Sequence, residues 1–187
     1  MSLIQSRSAP VLVCLNLQRA YIDPADPCFA PRADTALIHA GACLAWARRQ
    51  NLSVWHVHTS GDGPRFAPIP GFEPNPSEPV LRKRASSLFD STDLARARPP
   101  LRYAIVLGFT AARDCLASAV DAERSGAQLV FVSDAIASSA LTHHAPELVD
   151  SVLTALLGEW AVMVTTAELL RREPRLVPEF GGELEHH

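Results

Sequence analysis

The stretch Tyr103 to Gly126, YAIVLGFTAARDCLASAVDAERSG, limits what this chain can fold into. An apolar strand over Tyr103–Leu107 meets the turn Gly108-Phe109-Thr110, and a helix follows whose first turns carry Cys115. A strand that passes through a glycine turn into a helix is half of a right-handed crossover, the unit from which parallel sheets are built. The run Pro10 to Leu17, PVLVCLNL, agrees with it: it is continuously apolar except at Asn16, the pattern of a central strand buried on both faces.

The rest of the chain repeats this alternation. Asp34 is placed to cap a helix over Thr35 to Gln50, and Leu52 to His58 reads as a second strand. Thr59 to Pro79 is dominated by proline and glycine, and a loop of that length in an α/β unit is expected to wall or cover a site. Val80 to Arg84 is a short extended piece and Thr92 to Ala97 a brief helix. Gln128 to Ser133 forms a strand ending at Asp134, Pro146 to Gly158 a helix, and Ala161 to Thr165 a last strand, after which Thr166 caps a terminal helix. The expected fold is therefore α/β: a single domain with a doubly wound, mainly parallel six-stranded sheet and helices on both faces, a Rossmann-like three-layer arrangement over 1–183. The final 184–187, LEHH, resemble an expression-tag remnant and are left out of any metal argument.

Charge and cysteine content narrow the partners. A net charge of −3 over 187 residues leaves no basic footprint for nucleic acid or an anionic membrane, and Arg82-Lys83-Arg84 is too short to make one. No apolar run approaches the roughly 20 residues that span a bilayer. Cys14, Cys28, Cys43 and Cys115 are widely spaced without a CxxC pair, which fits free thiols in a reducing cytoplasm. A small-molecule partner is expected.

Several residues invite a chemical reading, and each has a plainer one. Amides at a helix start favour negative charge, so a thiol at Cys115 can ionise there; a cysteine near the start of an amphipathic helix is also an ordinary core side chain. Lys83 is either a site cation or one more solvated charge in its basic run. Asp114 is adjacent to Cys115, but neighbouring helical residues point about 100 degrees apart, so it is expected to face solvent or cap the helix. Asn16 either lines a site or satisfies backbone at a strand end. His56 and His58 share one strand face at a spacing that can ligate zinc, yet two histidines do not make a site; no metal or other cofactor is expected, with His58 placed at a pocket mouth and His56 structural. His143 and His144 read as cap or interface groups.

Three segments, LVCLNLQRAYIDP at 12–24, VLRKRASSLFDSTDL at 80–94 and VLGFTAARDCLASAVDAERSGAQLVFVSDA at 106–135, resemble the isochorismatase-like cysteine hydrolases. The resemblance implies an α/β sheet covered by helices, a homo-oligomer (dimer or tetramer), and a Cys, Lys and Asp triad that hydrolyses small amides or ureides, or in one member a vinyl ether without needing the cysteine. Carried over, the nucleophile falls on Cys115, the lysine on Lys83 within a pattern that includes Ser87 and Phe89, and the aspartate on Asn16. Gly108 lies one residue further from Cys115 than the family pattern has it, with Ala112 where a threonine is common. Tyr21, His58, Phe89, Ala111 and Ala112 are the expected pocket residues, with Phe66 and Phe72 as further candidates for its walls.

Asn16 can neither take nor return a proton, and losing a positioned acid and base typically costs about two to four decades of rate. Removing a carboxylate also removes a like charge from beside the thiol, so Lys83 and the helix end are expected to lower its pKa. Two readings follow: a cytoplasmic hydrolase of a small amide, ureide or activated acyl compound through a Cys115 thioester, or a catalytically silent relative that binds a metabolite or a protein. Hydrolysis of an enol ether is a third, weakened by the same loss at position 16.

Overall fold

The computed structural model describes residues 9–91, 93–94, 101–141 and 143–172. Six strands form one sheet: β1 (Val11–Leu15), β2 (Ser53–Thr59), β3 (Val80–Lys83), β4 (Tyr103–Phe109), β5 (Gln128–Ala137) and β6 (Val162–Val164). Their spatial order is β3-β2-β1-β4-β5-β6, and every neighbouring pair is parallel. The chain winds outward from β1 to the edge strand β3, returns to lay β4 against β1, and winds outward again. The strand order reverses between β1 and β4, and in such sheets ligands bind outside the carboxyl ends of the strands at that point.

Alternation of side chains divides the core into two layers. Leu12, Cys14, Ile105 and Leu107 pack with α1 (Ala33–Arg49), whose inward Ala36, Ala40, Cys43, Leu44 and Ala47 follow helical spacing. Val13, Leu15, Val57, Ala104 and Val106 face the other way, toward α2 (Leu116–Ser125) and α3 (Pro146–Gly158), which contribute Ala119, Ala122, Val149, Leu153 and Leu157. All seven residues of β4 are buried, as expected of a strand covered on both faces.

The expected strands and helices are present, with local differences. Asp34 lies within the first turn of α1 instead of capping it, because the helix begins at Ala33. The terminal helix α4 (Thr166–Leu170) is capped by Thr165, whose side chain accepts from Glu168 N while Glu168 bonds back to Thr165 N. Strand β5 runs on to Ala137 across a register shift opposite Val106 and Gly108, and Asp134 within it accepts both the amide and the hydroxyl of Thr166 at 2.8 Å. Most of the short helix expected over Thr92–Ala97, and the residues 184–187, lie outside the described residues.

The long loop after β2 is tied down by one side chain. Gln18 donates to the carbonyls of Thr59 and Phe66 and accepts from Thr59 N, while Arg19 N bonds to Ala67 O and Ile69 N to Leu17 O. Strand-like bridging of Gln18 to Pro68 completes the seam. The loop is thus fixed to the end of β1, where the site residues gather.

Candidate active site

Two strand ends and one helix start build the site. Gly108 has φ of +114°, and a Cβ there would lie 2.0 Å from Leu15 O, so only glycine allows β4 to press this closely against β1. Beyond Thr110 the chain makes a single π turn, Ala111–Cys115, before α2 begins. Both Asp114 N and Cys115 N bond to Thr110 O. A π turn holds one more residue than an α turn, and such insertions recur at functional sites. It takes up the extra residue between Gly108 and Cys115, and its effect is to exchange the places expected for two neighbours.

Asp114 turns inward. It is 1% exposed, and one carboxylate oxygen receives the Lys83 ammonium while the other accepts from the Thr110 hydroxyl at 2.8 Å and Arg113 Nε at 3.2 Å. Burial opposes its ionisation, but the Lys83 charge and hydrogen bond, with Thr110 and Arg113, hold its pKa below the usual carboxylate range. Lys83, 2% exposed at the end of β3, also donates to Ala85 O at 3.1 Å. The expectation that Asp114 faces solvent is therefore corrected.

Cys115 turns the other way, into hydrocarbon. It is fully buried within the cluster that includes Leu88, Ala111 and Ala119. Burial pushes its thiol well above the ordinary range, Asp114 adds to that, and Lys83 opposes both without winning. The expected low-pKa thiolate is corrected on both grounds: the ammonium is spent on Asp114, and the sulfur is in an apolar surround.

Asn16 lies at the left-handed φ of 53°, a conformation asparagine tolerates, just after β1. Its Nδ2 donates to Phe109 O at 2.8 Å and its Oδ1 accepts from the Thr59 hydroxyl at 3.0 Å. The amide bridges the ends of β4 and β2. A carboxylate there would set an acceptor against the Phe109 carbonyl, so the neutral residue suits this geometry.

The other expected pocket residues divide. Tyr21 is buried and stacked on Phe109 with ring centroids 5.6 Å apart; burial pushes its hydroxyl up to about 12, against a hydrogen bond with Thr59. Ala111 is core, Ala112 half-buried, and Phe89 packs from a short helix capped by Ser87. Phe72 is buried in the core layer on the α1 face. His58 points from the opposite face of β2 to Val57 and belongs to a separate cavity. His56 is structural: its Nε2 meets Glu78 Oε2 at 2.9 Å, and Arg48 grips both oxygens of Glu78 at 2.8 Å. Burial opposes ionisation of Glu78, yet its donors hold it down at about 2. Thr110 and Arg113 were not singled out from the sequence; their signal was position, the residues four before and one before a carboxylate whose own place was misread. Among the described residues no group of three or more His, Cys, Asp or Glu is set to hold a metal ion.

Comparison with known proteins fits this architecture. The chain is similar in structure to an isochorismatase from Pseudomonas putida KT2440, at 22% identity and TM-score 0.76, covering 86% of this chain and 89% of that one. It is similar to a cysteine hydrolase from Pseudomonas syringae at 17% identity and TM-score 0.78, covering 89% and 97%. N-carbamoylsarcosine amidase from Thermoplasma acidophilum shares 22% identity at TM-score 0.67, covering 85% and 97%. A sequence search of curated proteins finds no match. At these identities the structures speak for the fold alone, but a family model described as Isochorismatase domain matches residues 10–167, and this chain belongs to the isochorismatase family.

Proposed function

We propose that this family member hydrolyses a small amide, ureide or activated acyl compound, and that Asp114 instead of Cys115 does the proton chemistry. The observation that carries the reading is the buried pair of Lys83 and Asp114 at the carboxyl ends of the strands. Replacing such a pair with well-packed apolar residues is often neutral or stabilising, so stability alone gives little reason to keep one here. In the proposed step the Asp114 carboxylate takes a proton from water, the hydroxide adds to the substrate carbonyl, Lys83 faces the developing oxyanion, and as the adduct collapses the bond from the carbonyl carbon to the leaving group breaks and Asp114 returns the proton to that group. Arg113, whose side chain is 55% exposed, is the donor that yields its place on Asp114 to that water. Tyr21 and Phe89 wall the substrate, and Asn16 acts by holding the ends of β4 and β2 in place. The thioester route has less support, because Cys115 is fully buried among apolar side chains and the Lys83 ammonium is paired with Asp114.

A second reading has its own support: both oxygens of Asp114 and both polar atoms of Asn16 already have internal partners, as in a silent relative that only binds. Turnover of a panel of small amides and ureides decides. The hydrolase reading expects Asp114→Asn to lose about two to four decades of kcat and Cys115→Ala to stay within a few-fold. Loss in folded Cys115→Ala overturns it in favour of the thiol, and a wild-type protein inert on the panel favours the silent relative.

Assembly and location belong to the same proposal. Leu148, Val152 and Leu156 form a stripe on the outer side of α3, 56%, 56% and 41% exposed, which supports a homo-oligomer that sedimentation would detect. All four cysteines are free, in keeping with a cytoplasmic protein, and no helix of the described residues is long and apolar enough to cross a membrane.

A further inference from the structure

We propose that a cavity beneath the 61–74 loop binds a small carboxylate with a flat apolar body, independently of the chemistry at Asp114. The cavity, about 360 Å³, is lined by His58, Phe66, Pro68, Pro74, Val80 and Arg82 among others, a volume within the range of small-molecule sites. Its position follows from strand pairing. His58 is in register with Arg82, and Thr59 with Lys83; successive residues point to opposite faces, so His58 and Arg82 look away from the side to which Lys83 projects.

Three features give the cavity a chemistry. His58 is 3% exposed, and its Nε2 has no hydrogen-bond partner among the described residues, an unfavourable condition that a ligand would relieve. Arg82 is exposed at the cavity's edge, its guanidinium has no carboxylate partner among the described residues, and Asp93, which follows the strand, reaches only its backbone amide, at 3.4 Å. Phe66 and the two prolines supply a flat apolar wall. The Phe66 ring lies so close to Gly61 that a Cβ there would fall 2.2 Å from it, and the Arg65 guanidinium lies over the ring, 4.9 Å from its centroid.

The lining agrees with an anion, since among the described residues it includes Arg82 and no acidic side chain. Burial, His56 and Arg82 together push His58 down to about 4, so at neutral pH it is an uncharged imidazole able to donate or accept one hydrogen bond. Glu78, the carboxylate nearest His56, is fully engaged by Arg48, His56 and Asn75 N and is not aimed at the cavity's cation. Arg82 is thus left for a bidentate pair with a carboxylate, His58 for a second polar contact, and Phe66 with the two prolines for apolar contact against the body.

Benzoate is the probe. Titration of the wild-type chain followed by calorimetry, with the His58 ring proton shifts as the local readout, is expected to show saturable one-to-one binding. Benzamide, which keeps the ring but not the charge, is expected to bind at least about tenfold more weakly. Arg82→Gln is expected to weaken benzoate about tenfold to a hundredfold, the worth of a hydrogen bond to a charged group. The control Arg84→Gln, removing an exposed charge two residues along, is expected to leave it unchanged. Benzoate binding that is absent, equal to benzamide, or weakened alike by both arginine variants overturns the site. Should Arg82→Gln unfold the chain, His58→Phe tests the same cavity, with loss of binding expected and unaltered binding overturning it. None of these outcomes depends on whether Asp114 hydrolyses anything.

Discussion

The two faces of the β2–β3 pair treat polar groups in opposite ways. On one, Lys83 meets Asp114 and every buried oxygen of that carboxylate is satisfied. On the other, one residue along each strand, His58 keeps an unpartnered nitrogen and Arg82 an unmatched charge beside a cavity. A satisfied buried network is rigid and costly to break, whereas an unsatisfied one is a site waiting for a partner. The contrast separates groups whose loss should cost stability from groups whose loss should cost binding.

Breaking the satisfied side gives the largest effect. Lys83→Met leaves Asp114 buried with only the half-exposed Arg113 as a cation and is expected to cost about 3–5 kcal/mol in urea unfolding. Adding Asp114→Leu removes the stranded charge and is expected to recover most of that loss. A double variant no more stable than the single one would show that the pair is not the coupled unit described.

Acid sharpens the comparison next. The folded pKa of His58, about 4, lies below its unfolded value near 6.5, so the unfolded chain takes up the proton first. This contribution is whole above pH 6.5 and is lost as pH falls toward 4, by at most about 3 kcal/mol. His56, also lowered by burial, acts in the same direction. Glu78, at about 2 against 4.5 unfolded, and Asp114, also depressed, add stability that persists above the unfolded carboxylate range and is lost as pH falls below it. His58→Phe should therefore flatten the unfolding free energy between pH 6.5 and 4 and leave the decline below that. An unchanged upper slope would mean that His58 is not held neutral by its surroundings.

Asn16→Asp comes third. By sequence resemblance it restores a carboxylate; by geometry it removes the donor to Phe109 O and sets two acceptors 2.8 Å apart. A loss of about 1–3 kcal/mol is expected, the cost of a buried acceptor left unmatched. A variant as stable as wild type would place position 16 in a looser, wetter setting than its bonds indicate.

The sheet was legible in the sequence because apolar runs such as 10–17 and 103–107 fit a strand covered on both faces, although β4 continues through Gly108 and Phe109, where a turn was expected. Asn16 was legible as the polar break in an apolar run, and Lys83 through the resemblance of 80–94, since its basic run alone reads as solvated charge. Their partners were not. Which of Asp114 and Cys115 turns inward is decided by one π turn, and a rotation of about 100 degrees per residue converts that single insertion into an exchange of roles. Periodicity presumed an α-helix through 111–115 and so sent the carboxylate to solvent. The role of Gln18 was not legible, since its three bonds cross to Thr59 and Phe66, 41 to 48 residues away.

The smallest effect tests that exchange most directly. Cys115 lies in the apolar layer with Leu88, Ala111 and Ala119, and its thiol has no hydrogen-bond partner among the described residues. Truncation to alanine removes one heavy atom from a packed core, at a cost of about 1 kcal/mol. Serine nearly preserves the volume but buries a hydroxyl without a partner, costing about 1–3 kcal/mol. Cys115→Ser should therefore be the less stable of the two. A thiol in a polar site beside Lys83 predicts the reverse, since serine would keep a hydrogen bond that alanine loses. The order of the two unfolding midpoints thus reports which way residue 115 faces without the need for a substrate.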